Sequence, residues 1–428
     1  MSHSPRRARR ASSSLKDATK TAERRAFATL ECMHSRAPFA DAAPMSTTVT
    51  TTIAARRATP RARGAPSRPV RGAVRCTRRT GAVRTHVVND VADRQQNRHR
   101  RNRVISRASA VDGSADASAA AAKGSTTLLV AGALAVGAVA ATHAAGNGVA
   151  RLVGSAALGA ALAGVGYAKQ SLDASGALAA IGVGFGSIYS DARFGSALAV
   201  FFFASSAATR VRSDVKVKID EHFKAGGGRD WVQVAANGFV PTIIAMVYAL
   251  IAVPSANVSL QGALASAFLG YYGCCCGDTF ASELGVLSKS RPRLIIDPMR
   301  SVEPGTNGGV TALGWGASAA GGAAVGAAFV VGRAAVVALS GGDFLATCIQ
   351  DAIIVVYGAV AGVFGSFVDS MLGATVQYSG FCSVKDKVVS KPGPTVSRIS
   401  GCEFLSNSAV NLVSASITAV VAAMYVSI

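Results

Sequence analysis

Acidic side chains are scarce in this chain: 23 Asp and Glu stand against 44 Lys and Arg, a net +21 over 428 residues. Aromatic residues are thin as well, at 6% with two Trp, while half of all residues are apolar and the mean hydropathy is +0.35. A soluble nucleic-acid-binding protein would account for the charge but not for the apolar half, and an ordinary membrane protein the reverse. The string G-x-x-x-x-G-K-[ST] is absent, which excludes a P-loop. The eight cysteines lack the two-residue gap of a zinc knuckle, and the adjacent thiols of Cys274-Cys275-Cys276 cannot easily share one tetrahedral metal. That run reads as small apolar residues in a packed helix. Beyond residue 110 only His143 and His222 remain, and nothing pairs either with a nucleophile.

The charge is unevenly placed. Residues 1–110 hold 25 of the basic and 6 of the acidic side chains, a net +19, which leaves +2 for everything after them. This tail has no heptads, finger spacing or interleaved aromatics, so nucleic acid is not the expected partner. Its Ser, Thr, Ala and Arg with few acids predict a chloroplast transit peptide and basic tail over 1–110. The acid-free, hydroxyl-rich stretch from Met45 to Thr52, followed by Arg56 and Arg57, marks Met45 as an alternative start. Maturation is expected near Val74-Arg75-Cys76 or near Ile105-Ser106-Arg107-Ala108.

What the remainder has in quantity is apolar length. Runs rich in Ala, Gly and Val fall near 126–145, 150–168, 174–190, 194–208, 232–253, 258–277, 309–338, 346–368 and 407–427, each close to the 17–25 residues that cross a bilayer. The expectation is an all-α polytopic transmembrane bundle of about nine spans, with a single membrane domain over 125–428. Basic residues concentrate in loops 209–231, 286–308 and 379–406, after the fourth, sixth and eighth spans. Parity therefore puts all three on one face, as the positive-inside rule asks of basic loops, and in a plastid that face would be stromal.

Against this background a few polar residues stand out. A carboxylate at mid-bilayer costs about 2.5–3.5 kcal/mol on insertion scales, so embedded acids are functional candidates. Asp278 in Gly277-Asp278-Thr279 and Asp369 in Val368-Asp369-Ser370 are expected at the ends of the sixth and eighth spans. Two stripes at i, i+4, i+8 accompany them: Arg229, Gln233 and Asn237, and Glu403, Asn407 and Asn411. Embedded amides also serve as glue between helices. The run Pro304-Gly305-Thr306-Asn307-Gly308-Gly309 is either a plain turn into a helix or, with Lys289, Arg291, Arg293 and Arg300 nearby, a cradle for phosphate. Taken jointly these groups suggest acids holding a divalent cation against phosphates neutralised by Lys and Arg.

The stretches Gly277-Asp278-Thr279-Phe280-Ala281-Ser282-Glu283, Pro304-Gly305-Thr306-Asn307-Gly308-Gly309-Val310, Arg229-Asp230-Trp231-Val232-Gln233 and Asp369-Ser370-Met371-Leu372-Gly373 resemble a membrane family that includes the phytyl-phosphate kinases of plants and cyanobacteria and an animal transmembrane protein of obscure role. The resemblance covers most of 150–428 and implies a kinase that phosphorylates phytyl phosphate to phytyl diphosphate for tocopherol biosynthesis, with Mg²⁺ and a nucleoside triphosphate, CTP or another. It implies an isoprenoid phosphate substrate, the lipid bilayer as surroundings, and a chloroplast membrane, the envelope, as location; the oligomeric state is left open. Under that reading Asp278, Glu283 and Asp369 would hold metal. Asp278, Asp369 and Asn307 would act in catalysis, while Gln233, Asn237, Asn407 and Asn411 would orient groups. Lys224, Arg229, Lys289, Arg293, Gly305, Gly308 and Gly309 would bind phosphate. The alternatives are a transporter of ions or small solutes, and a prenol or phytol kinase acting on the free alcohol.

Overall fold

Among the described residues, nine long helices account for the apolar runs. The computed structural model describes residues 123–145, 148–219 and 226–425, so the tail, both candidate starts, the cleavage sites and Lys224 lie outside the described residues. The helices are α1 (Lys123–Ala144), α2 (Gly148–Ala168), α3 (Ala174–Ser190), α4 (Ala192–Arg210), the short α5 (Ser213–Ile219), and α6 (Trp231–Val247) extended by a π-helical turn at Tyr248–Ala252. There follow α7 (Val258–Gly285), α8 (Ala312–Leu339), the short α9 (Phe344–Gln350), α10 (Ile353–Val376) and α11 (Asn407–Tyr425). Seven of them are long and apolar enough to cross a membrane by length and composition. The other two are α3, with 17 residues, and α7, whose last turns are polar.

Much of the scarce acid is spent on starting these helices. Asp173 accepts from Gly176 N at 2.8 Å, Asp191 from Arg193 N at 2.8 Å and Asp343 from Ala346 N at 3.0 Å. Asp230 accepts from Gln233 N at 2.9 Å, while Gln233 Oε1 accepts from Asp230 N at 3.3 Å, a reciprocal capping box. Asn257 and Thr311 cap α7 and α8 in the same way.

Helix α7 is the hub, packed by α4, α6, α8, α10 and α11. Where it meets α10 the backbones nearly touch: a Cβ at Gly277 would lie 2.6 Å from Gly362 Cα, the close approach that small residues permit in lipid. Helix α4 is the most enclosed of the candidate spans, 78% buried against 17% for α2. The half of the bundle away from the basic loops is filled by rings, with Phe194 stacked on Phe268 at 4.2 Å and flanked by Tyr248 at 5.0 Å and Phe329 at 5.9 Å. Arg193 lies over Phe194, Tyr248 and Phe329 and pairs with Asp191 at 2.9 Å.

Three expectations change. The loops 286–308 and 379–406 carry strands: β1 (Arg293–Leu294), β2 (Asp297–Ser301) and β3 (Gly309–Val310) form an antiparallel sheet in the order β2-β1-β3. Likewise β4 (Ser379–Cys382), β5 (Lys387–Val389) and β6 (Val396–Ser400) form one in the order β5-β4-β6. The predicted span 346–368 divides into α9 and a later α10. Finally, α7 and α10 run on to Gly285 and Val376, so Asp278 and Asp369 each sit seven residues inside a helix rather than at its end. Asp351, in the α9–α10 turn, pairs with Arg333 at 2.6 Å.

Candidate functional site

The inward position of the two acids is what creates the site. Because α7 and α10 continue for two turns beyond Asp278 and Asp369, the acids line the lower wall of a cavity of about 990 Å³. Residues from all three basic loops cover it: Lys216 and Arg229, then Gly305 to Thr311, then Gln377 to Ser379 and Val388 to Lys391. The parallel bridge between Leu172 and Arg229 ties the α2–α3 turn to the same end. The basic loops therefore converge, as parity requires.

Asp278 and Asp369 lie close enough to feel one another's charge, and Asp369 Oδ2 accepts from Ser414 Oγ at 3.0 Å. Gln233, Asn237, Asn407 and Asn411 all reach the same cavity. Asn237 Oδ1 accepts from the Cys275 thiol at 3.6 Å, and Asn407 Oδ1 from Gln377 Nε2 at 3.4 Å. The three cysteines are buried in the core and do not line the cavity.

Glu283 departs from the expected metal set. Its Oε1 accepts from Thr209 at 2.8 Å and its Oε2 from Lys216 Nζ at 2.7 Å, so it does not join Asp278 and Asp369. Among the described residues no group of three or more His, Cys, Asp or Glu stands ready to hold a metal. The pair Asp278 and Asp369 fits Mg²⁺ nonetheless, because that ion is commonly held by one or two carboxylates together with waters and substrate phosphates.

The phosphate-binding set also shifts. Lys289 and Arg293 are exposed and do not line the cavity; Arg293 Nη1 instead donates to Pro298 O at 2.7 Å within the small sheet. The Gly-rich run lines the cavity, but its N–H groups are largely spent. Thr306 N donates to Glu303 O, Asn307 N to Ser379 Oγ and Gly309 N to Thr306 O. Gly305 and Gly308 adopt φ of +88° and +75°, which favours glycine in a tight turn, and Gly308 packs against Ala374. The run is thus chiefly a turn, and Gly309 is not a free donor. Asn307 Nδ2 donates to Tyr378 O at 3.4 Å, lacing the two strand-bearing loops together.

Among the described residues, the cations that do reach the cavity are Arg229, Lys391 and Lys216. Arg229 Nη1 donates to Ser206 Oγ at 3.0 Å, and burial lowers its pKa while Glu283 opposes the shift. Lys216 is only 2% exposed; its Nζ also donates to Ala208 O at 2.7 Å. Burial pushes its pKa below the usual lysine value and the Glu283 carboxylate offsets part of that. Sequence reasoning passed over Lys216 because its partner is 67 residues away.

A second, apolar crevice adjoins this cavity. Arg229, Gln233 and Asn237 line both.

The family model for the integral membrane protein DUF92 matches residues 157–419, which takes in all of the cavity described above. Protein PGR of Arabidopsis thaliana is 41% identical over 263 residues, covering 59% of this chain and 88% of that protein. An uncharacterized membrane protein of Methanocaldococcus jannaschii is 32% identical over 152 residues, covering 36% of this chain and 53% of its own length. No solved structure matches. With most of the membrane domain matched, the chain belongs to the DUF92 family of integral membrane proteins.

Proposed function

We propose that the protein is a phytyl-phosphate kinase of a chloroplast membrane, the envelope, using a nucleoside triphosphate to convert phytyl phosphate to phytyl diphosphate. The observation that carries this reading is one cavity in which two embedded carboxylates, Asp278 and Asp369, share a wall system with Arg229 and Lys216 at the basic face of the bundle. The resemblance to phytyl-phosphate kinases at the stretches around Asp278, Arg229 and Asp369 supplies the substrate class.

In the proposed reaction an oxygen of the acceptor phosphate attacks the γ-phosphorus, and the bond from γ-phosphorus to the bridging oxygen breaks to release nucleoside diphosphate. The acceptor oxygen is already anionic, so no general base is required, and among the described residues that line the cavity there is no histidine. The work left to the protein is positioning and charge neutralisation. Arg229, held by Ser206, would meet phosphate oxygens, while Lys216, whose ammonium is taken up by Glu283, Ala208 and Thr209, would add positive charge from within the wall. Asp278 and Asp369 would hold Mg²⁺, which when bound neutralises charge between the phosphates. Ser414 fixes one Asp369 oxygen, leaving the other to face the cavity.

The test is purified protein in lipid nanodiscs with phytyl phosphate, Mg²⁺ and γ-labelled nucleotide, with products separated by thin-layer chromatography. Labelled phytyl diphosphate is expected. Labelled phytyl monophosphate formed when free phytol is supplied, with no labelled diphosphate from phytyl phosphate, would assign a prenol kinase, and absence of any labelled lipid together with Asp278-dependent solute flux in vesicles would assign a transporter.

A further inference from the structure

The crevice beside the polar cavity has a different chemistry. Its walls come from α2, α3, α4, α6 and α7: Leu162 and Ala163, Ala180 and Val183, Leu198 to Phe203, Val234, and Tyr272. Apart from Tyr272, every polar side chain lining it, namely Arg229, Gln233 and Asn237, also lines the polar cavity. A polar chamber and an apolar slot joined at three residues match an amphiphile with one charged head and one long hydrocarbon tail.

We propose that this crevice seats the isoprenoid chain of the substrate, with the chain passing Asn237 and Gln233 while the phosphate stays at Arg229. The proposal rests on the phosphotransferase reading for the identity of the head group, but not for the seating of the chain. The slot is narrow, with about 70 Å³ of free volume, against about 30 Å³ for a single water in the liquid, so a twenty-carbon chain enters only as the walls part. The walls suit this. One side belongs to α2, the least buried of the candidate spans at 17%, and Ala163 and Ala180 leave few side chains to displace, while Gly159 and Gly184 hold α2 and α3 backbone to backbone beside it. On the other side Phe201, Phe202 and Phe203 line the slot, and because the chain arrives from lipid, contact there is van der Waals packing rather than transfer out of water.

The test is photoaffinity labelling of the full chain in nanodiscs by a twenty-carbon prenyl phosphate bearing a diazirine near its far end, without nucleotide, with adducts mapped by mass spectrometry. Adducts are expected on α2 or α4 between residues 159 and 203, displaced by phytyl phosphate and not by inorganic phosphate. Ala180→Phe is expected to reduce that labelling at least five-fold while Ala180→Ser retains it, with folding of both checked by size-exclusion profile. Adducts confined to the outer faces of α10 and α11, undiminished by Ala180→Phe, would overturn the proposal, as would no specific adduct at all. Labelling at the crevice by a protein that forms no diphosphate would uphold the crevice and refute the kinase. Turnover with labelling elsewhere would do the reverse.

Discussion

At the scale of single residues, the site is a division of labour among few charges. Asp278 and Asp369 face a common cavity, whereas Glu283, five residues after Asp278, is drawn off by Lys216. Asp278→Asn and Asp369→Asn are each expected to lower phosphoryl transfer at least 100-fold with little change in thermal stability, and turnover measured beside a melting curve checks this. Glu283→Gln should act differently, since it strands a buried ammonium: a buried charge that loses its partner costs several kcal/mol, so the variant should lose stability as well as activity. Lys216 gives a pH test. Its pKa is lowered in the folded state, so the unfolded chain binds more protons near that pKa and stability rises with pH there. The stability of the native protein relative to Lys216→Met should increase as pH climbs through the alkaline range toward the unfolded lysine value of about 10.4, and a declining difference would contradict the assigned burial. Sequence reasoning found both aspartates because a carboxylate in an apolar run is conspicuous. It missed Lys216 because six cations in one loop look alike until a tertiary partner selects one.

Among the elements, the helices were legible and the strands were not. A run of twenty apolar residues declares itself through composition alone, which is why eight of the nine long helices fall close to where expected, the exception being 346–368, which divides into α9 and a later α10. Strands of two to five residues, such as Arg293–Leu294, are too short to show alternation, and their pairing with Gly309–Val310 is set by a turn whose glycines suggested an anion cradle instead. Caps were equally hidden: Gln233 looked like part of a polar stripe, yet its side chain also closes the capping box of α6. Asp230→Ala should therefore cost about 1 kcal/mol, a typical N-cap loss, and loosen Arg229 beside it, measurable as a lower melting temperature with a raised KM for the phosphorylated acceptor. The α7–α10 contact is less forgiving. Gly277→Val would drive a side chain into the Gly362 backbone at 2.6 Å, and the expected result is loss of the monodisperse folded peak in detergent.

For the molecule as a whole, the arrangement of loops is the main result. All three basic loops gather over one cavity, so the sidedness inferred from parity and charge is built into the bundle. Tags inserted after Ser290 and after Lys391 should be accessible from one side of sealed vesicles, and a tag after Gly341 only from the other. Matching accessibility of all three would overturn the topology. The net +2 of the body is thus less informative than its distribution, and the distribution was readable from the chain once the spans were placed.

Phe194, stacked on Phe268 and flanked by Phe329 and Tyr248, packs together with the Arg193–Asp191 pair in the half of the bundle away from the cavity. None of these residues lines the cavity above Asp278, so its described lining ends short of that packed half. Under the proposed phosphotransfer, nucleotide, lipid head group and product would all be handled from the basic side, with no solute carried across. Vesicles carrying the protein should hold a proton or sodium gradient as tightly as protein-free vesicles, during turnover as well as at rest.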